Sequence, residues 1–301
     1  MKGSPALLAV MPALAAAVIL MGAHTKALAV TVYALTVNNG LFAFDSATPS
    51  LPFAPPMPIT GINAGQDIVG IDFRPANGQL YALGYNSGSE LAQVYTVNVN
   101  TAAATAVGIG ANLIGAFFSM DFNPVVDRIR VVTSANTNYR FNPDNGALAA
   151  TDLMLAFAGG GTPLVTGVAY TNNFAGALQT TLYGYEAGSN SLVTIGGPNG
   201  VPSPNGGQVF PVGPSGIFAE APRIGFDIFG NSTAFLSART AIGPAAIDRF
   251  YTADLATGML TALGTFPLAG VEDIAVIPEP GVVNLAMLAL FALLRRRPRQ
   301  S

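Results

Sequence analysis

Gly70-Ile71-Asp72-Phe73, followed by Gln79-Leu80-Tyr81-Ala82-Leu83, is the stretch on which the fold turns. Its four-residue opening recurs as Ser119-Met120-Asp121-Phe122, Gly167-Val168-Ala169-Tyr170, Gly225-Phe226-Asp227-Ile228 and Asp273-Ile274-Ala275-Val276, with an acidic or small residue between apolar ones. Counted on the third residue, the intervals are 49, 48, 58 and 48 positions. A unit of about 40–50 residues is the size of a four-stranded propeller blade. The long interval contains Gly196-Gly197-Pro198-Asn199-Gly200 and Pro204-Asn205-Gly206-Gly207, turn-forming runs that read as a loop inserted between Gly196 and Gly216.

Within each interval the pattern is that of strands. After Asp72 come Gln79 to Leu83, Gln93 to Val97 and Ala104 to Val107, short runs rich in Val, Tyr and Thr. Asn77-Gly78, Asn145-Gly146 and Thr257-Gly258 fall between such runs, where a turn needs a residue that tolerates positive φ. The last unit, Val271 to Ile277, offers a single strand. Its missing partners are at the front of the chain, where Thr31 to Thr36, an Asn38-Asn39-Gly40 turn and Leu41 to Asp45 read as a hairpin. Residues 30–277 are therefore expected to form an all-β, five-bladed propeller of four-stranded blades, closed by pairing the first and last strands of the body. A ring of sheets buries both faces of each blade and leaves only short edges, which accounts for the apolar content of the strands. A β-sandwich or an irregular solenoid is the alternative, and neither requires those two strands to be partners.

The phrase Ile68 to Leu83, with a weaker echo at Met120 to Val132, also resembles an uncharacterised bacterial family known only as a domain of unknown function, number four-three-nine-four. That resemblance spans most of residues 30–277 and implies no activity.

The two ends read as addresses. Lys2, an apolar run from Ala6 to Met21 and the small-x-small pattern Ala27-Leu28-Ala29 describe a signal peptide over residues 1–29, cut by signal peptidase before Val30. At the other end, Pro278-Glu279-Pro280 precedes the apolar stretch Gly281 to Leu294 and then Arg295, Arg296, Arg297 and Arg299. The arginines would stay on the cytoplasmic side of a membrane-inserted helix. The apolar stretch would cover about 21 Å as a helix, short of a ~30 Å bilayer core. Residues 278–301 resemble the PEP-CTERM sorting signal. That resemblance implies an exosortase that cleaves near Pro278-Glu279-Pro280, a transient inner-membrane anchor, and delivery to the surface or extracellular matrix of a Gram-negative, polysaccharide-exporting bacterium. A plain single-pass anchor is the alternative; it would retain Arg295 to Arg299.

Between the two ends, residues 30–277 hold seven arginines, no lysine and fifteen acids, a net charge of −8. Such a surface disfavours nucleic acid and anionic lipid. Cysteine is absent, and the only histidine, His24, lies in the signal peptide. Neither a thiolate or histidine metal site nor a Ser-His-Asp triad is available to the mature body.

Three groups of residues remain as candidate chemistry. Asp72, Asp121 and Asp227 occupy equivalent repeat positions that a propeller would bring towards its axis, where paired carboxylates could act as a glycosidase acid and base. The competing reading makes them part of the repeat, accepting backbone N–H bonds in a tight inter-strand turn. Asn142-Pro143-Asp144-Asn145-Gly146 has the oxygen atoms for calcium, but lacks the bidentate acid of an EF-type loop and reads better as a hairpin turn. Phe117, Phe118, Tyr139 and Phe174 are candidate sugar-stacking aromatics. No cofactor is implied beyond calcium. The expected function is a non-enzymatic module binding exopolysaccharide or a surface protein, with a carbohydrate-active enzyme as the alternative.

Overall fold

The computed structural model describes residues 29–278, except 242–245 and 269 and except the side chains of 220–222, 241 and 246. Most of the expected signal peptide, residues 1–28 with Ala27, and the tail from Glu279 onward with Glu279, Pro280, Arg295, Arg296 and Arg297, lie outside the described residues. Among those described, no helix is long and apolar enough to cross a membrane.

The chain opens with β1 (Thr31–Thr36), β2 (Gly40–Asp45) and β3 (Met57–Pro58), then builds a blade from β4 (Asp67–Phe73), β5 (Leu80–Asn86), β6 (Leu91–Val97) and β7 (Ala104–Asn112). The next blade is β8 (Phe118–Asn123), β9 (Arg128–Thr133), β10 (Asn138–Phe141) and β11 (Leu148–Thr151). After β12 (Ala156–Phe157) come β13 (Val165–Tyr170), β14 (Leu182–Glu186), β15 (Ser191–Ile195) and β16 (Gln208–Pro214). Then follow β17 (Ala219–Phe229), β18 (Thr233–Ala241), β19 (Ala246–Ala253), β20 (Leu260–Thr265) and finally β21 (Val271–Val276). These strands form five separate sheets, a five-bladed β-propeller.

Every recurrent phrase is the innermost strand of its blade. β4, β8, β13, β17 and β21 pack side by side in a closed circuit around the axis. Closure is by the expected pairing, in the order β21-β1-β2-β3, with Ala34 opposite Ile274 and Tyr33 opposite Ala275. Blade 1 therefore draws on both ends of the body. Two details depart from the sequence reading. Blade 4 has five strands, because β12 adds to β16 in parallel at its outer edge. The insertion is also shorter than expected. Only the segment from Gly196 to Gly207 is loop, with single 3-10 turns at Pro198–Gly200 and Pro204–Gly206, and Gln208–Pro214 is the fourth strand of the blade.

The core is divided into five clusters, one per blade interface. At the blade 5–blade 1 seam, Phe250 stacks on Phe235 at 5.2 Å and meets the ring of Phe44 edge-on at 5.0 Å. Such pairs add about 0.5–1.5 kcal/mol beyond area burial.

The outer edges of the blades are latched as well. Asn142 to Ala147 is the expected hairpin turn between β10 and β11, closed by the Gly146 N–H donating to the Asn142 carbonyl at 2.8 Å. Its back presses on β7 of the preceding blade. Gly146 sits at φ +64, and a Cβ there would lie 1.8 Å from the Val107 carbonyl oxygen. Arg74 clamps the same junction, pairing with Asp127 and, at 2.7 Å, with Asp144. Asp144 is thus an ion-pair partner, and the Asn142 and Asn145 side-chain oxygens accept N–H groups within the turn. Gly146→Ala is expected to cost about 2 kcal/mol or more, strain plus a backbone clash. Gly78 has φ +69 and nothing within 4 Å of its would-be Cβ. Gly78→Ala should therefore cost about half as much, and equal losses in urea melts would show that the latch carries no load.

Candidate functional site: the propeller axis and the groove between blades 4 and 5

The three repeat carboxylates do meet. Asp72, Asp121 and Asp227 each bring one oxygen to within 4.8 Å of the others, and all are buried, at 2%, 2% and 1% exposure. Their environment follows from the register of the inner strands. Asp72 accepts the N–H of Phe122 at 2.7 Å, Asp121 that of Tyr170 at 3.1 Å and Asp227 that of Val276 at 2.5 Å. Each bond runs from the third position of one inner strand to the fourth position of the next blade's inner strand. A second tier uses the first position: Asp273 accepts from Ile71 at 2.9 Å and Ser119 from Val168 at 2.9 Å.

At Ala169, Ala275 and Gly225 the repeat carries no acceptor, and a neighbouring acid covers these three gaps. Phe73, Ile228 and Ile274 would otherwise face those side-chain-poor positions with a bare N–H. Their N–H groups instead donate to the second oxygen of the preceding residue, Asp72, Asp227 and Asp273 respectively. An inner strand cannot pair with its neighbour as a sheet, so its edge N–H groups need acceptors from side chains. The acids do accept backbone N–H groups, from the adjoining blade and, for Asp72, Asp227 and Asp273, from the next residue of their own strand as well, rather than in an inter-strand turn.

Burial sets the charge state. It pushes Asp227 up to about 7 against the two N–H groups that favour its anion. Asp72, Asp121 and Asp273 are raised well above the usual carboxylate range, first by burial and further by the charge of neighbouring acids, Asp227 among them in every case. This cluster offers only oxygen, so an ion held there would be a hard cation. A glycosidase pair must be open to a sugar, and these three carboxyls are buried.

The other sequence candidates scatter. Phe118 and Tyr139 are buried between blades 2 and 3, whereas Phe117 is 42% exposed and Phe174 half-buried, with no shared surface evident among them.

A concavity of ligand size lies elsewhere, against the inserted loop. Tyr183 on β14, Thr194 on β15 and Phe210 on β16 lie directly opposite one another, so their side chains form one row on one face of blade 4. Pro198, Val201 and Pro202 of the loop overhang that row, Leu255 of blade 5 supplies the far wall, and the cavity between them measures about 490 Å³. Its lining carries no charged side chain. Burial raises the Tyr183 phenol above its ordinary value, so it stays neutral.

The back of the loop is fixed to blade 3 by a buried guanidinium. Arg130, 2% exposed, donates to the Asn205 side chain at 2.6 Å, to the Tyr170 hydroxyl at 2.7 Å, to the Asn138 side chain, and to Asp152 at 3.1 Å. Asn138 donates in turn to the Pro204 carbonyl at 3.0 Å, and the Leu153 N–H to that of Asn205 at 3.1 Å. Asp152 is held from its other side by Arg140, at 2.7 and 2.8 Å.

Residues 40–275 match the domain of unknown function DUF4394. The chain belongs to that family. No curated protein matches the DUF4394 chain. Among solved structures, a Bacteroides thetaiotaomicron protein of unknown function is similar at 15% identity and TM-score 0.47, over 84% of this chain and 66% of its own. The GH74 enzyme of Niastella koreensis is similar at 15% identity and TM-score 0.42, over 78% of this chain. The DUF4394 chain spans only 35% of that enzyme's length. The glutaminyl cyclase of Myxococcus xanthus is similar at 12% identity and TM-score 0.39, over 77% of this chain and 92% of its own.

Proposed function

We propose that this DUF4394 propeller is an exported, non-enzymatic binding module that takes exopolysaccharide or a surface protein in the groove between blades 4 and 5. The observation that carries this reading is the contrast between the buried axis and the open groove. At the axis, every candidate catalytic carboxylate is buried and occupied by backbone N–H groups. At the groove, about 490 Å³ of uncharged aromatic and proline surface falls in the size range of small-ligand sites. Binding without turnover needs the second and not the first.

Delivery follows from the ends of the chain. Signal peptidase removes residues 1–29, and an exosortase cuts near Pro278-Glu279-Pro280, leaving the body at the cell surface or in the matrix. The last strand stops at Val276, so the cut spares the ring. Intact mass of surface-extracted protein is expected to show that Arg295 to Arg299 are gone; a product retaining them would mean a permanent anchor. For the binding role, residues 30–277 are expected to co-sediment with matrix polysaccharide or with a purified surface protein. Replacing Gly197 to Gly206 with a short turn should abolish that retention. A body that retains neither class, with or without the loop, would end the binding-module reading.

A further inference from the structure

We propose that the groove between blades 4 and 5 selects neutral polysaccharide, with pyranose rings stacked on Tyr183 and Phe210, which flank Thr194 in the row. This rests on the binding-module reading and assigns its ligand class. Three observations converge on it.

The first is charge. No lining side chain is charged, and residues 30–277 carry −8 overall. A uronate or phosphate-bearing chain would meet no cation in the groove and a repulsive field on the way in. It would also lose hydration with nothing to replace it. A cationic ligand would be drawn to the molecule at long range, but would find no carboxylate in the lining.

The second is the balance of hydrogen-bond donors and acceptors. Three prolines, Pro198, Pro202 and Pro211, bring no N–H, and the carbonyls of Pro198 and Pro202, which accept the N–H groups of Val201 and Gly197, each keep a second lone pair. The side-chain donors in the lining are the Tyr183 and Thr194 hydroxyls. An extended proline-rich peptide presents carbonyl acceptors and needs donors from its groove, which this one hardly has. A sugar brings its own hydroxyl donors to a carbonyl-rich wall. Charge and donor supply thus separate glycan from peptide, although both stack on aromatics.

The third is rigidity. The row is built on three paired strands, and the overhanging loop is tied at its back to Arg130, Asn138 and Leu153. A preformed surface does not spend binding energy on ordering itself.

The test is calorimetry on residues 30–277, which contain both partners of the closing pair, with four probes: cellohexaose, laminarihexaose, a trigalacturonate and a proline-rich decapeptide. One of the neutral hexasaccharides is expected to bind with an affinity that changes less than about twofold between low and high salt. Tyr183→Ala and Phe210→Ala should each weaken it by about tenfold or more. Tyr183→Phe, which keeps the ring, should retain most of it. Val201 is 76% exposed, so Val201→Asp places a charge on the overhang without touching the core and is expected to weaken binding by a similar factor. If trigalacturonate or the decapeptide binds and is displaced by these substitutions while both hexasaccharides are silent, the ligand class is wrong and the module reading survives. If a hexasaccharide binds but no substitution affects it, the groove assignment is wrong. If no probe binds, the neutral-glycan assignment fails; if matrix polysaccharide and surface protein are also ignored, both readings fail.

Discussion

Raising the pH of an EDTA-treated sample from about 5 to about 8.5 is expected to lower the stability of residues 30–277, because its most buried acids hold protons more tightly when folded than when unfolded. The sign follows from the direction of the shifts. Burial pushes Asp227 from its ordinary value of 3.8 to about 7, and Asp72, Asp121 and Asp273 also lie well above the usual range. A carboxyl raised on folding contributes stability that is complete below its unfolded value and is lost as the pH climbs through its folded one. For Asp227 that window runs from 3.8 to about 7. At about 1.4 kcal/mol per tenfold change, it corresponds to at most roughly 4 kcal/mol. Glu186 works in the other direction: burial opposes its charge, but the Ser189 hydroxyl and the N–H groups of Leu164, Ser189 and Gly188 hold it below its ordinary value. Its contribution disappears in acid, so an optimum at mildly acidic pH is expected.

Asp121→Asn isolates the cause. Asp121 accepts one backbone N–H, from Tyr170, through a single oxygen, whereas Asp72 and Asp227 use both oxygens. An asparagine keeps that bond and removes the charge, so the variant should melt several degrees higher than the parent at pH 8.5 and differ little at pH 5. Millimolar calcium supplies the contrast. Stabilisation of the parent at pH 8.5 that disappears in Asp121→Asn would identify the three converging oxygens as ligands. A parent that is more stable at pH 8.5 than at pH 5 in EDTA would overturn the account of the axis.

Phe250→Ala is expected to cost about 3–5 kcal/mol in urea melts followed by tyrosine fluorescence. The ring is fully buried and touches Phe44, Phe235 and Phe266, which join the last full blade to the composite one. A cavity there weakens the junction where the ring closes, and the loss should appear as one cooperative shift. Phe53, 64% exposed, is the control, and Phe53→Ala should change little. A loss below about 1 kcal/mol for Phe250→Ala would mean that this seam relaxes around the deletion.

The ring itself was legible because each inner strand carries the same phrase, and the phrase has a physical reason to recur. Its third position faces the next blade, where an acceptor is needed. Asp273 escaped notice because it performs that task from the first position, where the other units have Gly or Ser. β12 escaped because two residues added in parallel leave no periodic trace. β16 was absorbed into the insertion because Pro211 and Gly213 within it look like turn residues. Phe118 and Tyr139 were candidates for a surface only while the faces of β8 and β10 were unknown. The Tyr183, Thr194 and Phe210 row depends on register across three strands, and Arg130 gathers partners 8 to 75 positions away, so neither has a local signature.

The antiparallel match of β1 with β21 leaves the Ile277 N–H beside the Thr31 carbonyl, so the body begins and ends at neighbouring points. Topologically, its seam is a matter of where the gene happens to start. A short linker from Val30 to Ile277, with a new opening in an exposed hairpin such as Ser87 to Ser89, would keep every strand partner and shift the discontinuity to another blade. A molecule of this kind can gain or lose extensions at either end without renegotiating its architecture.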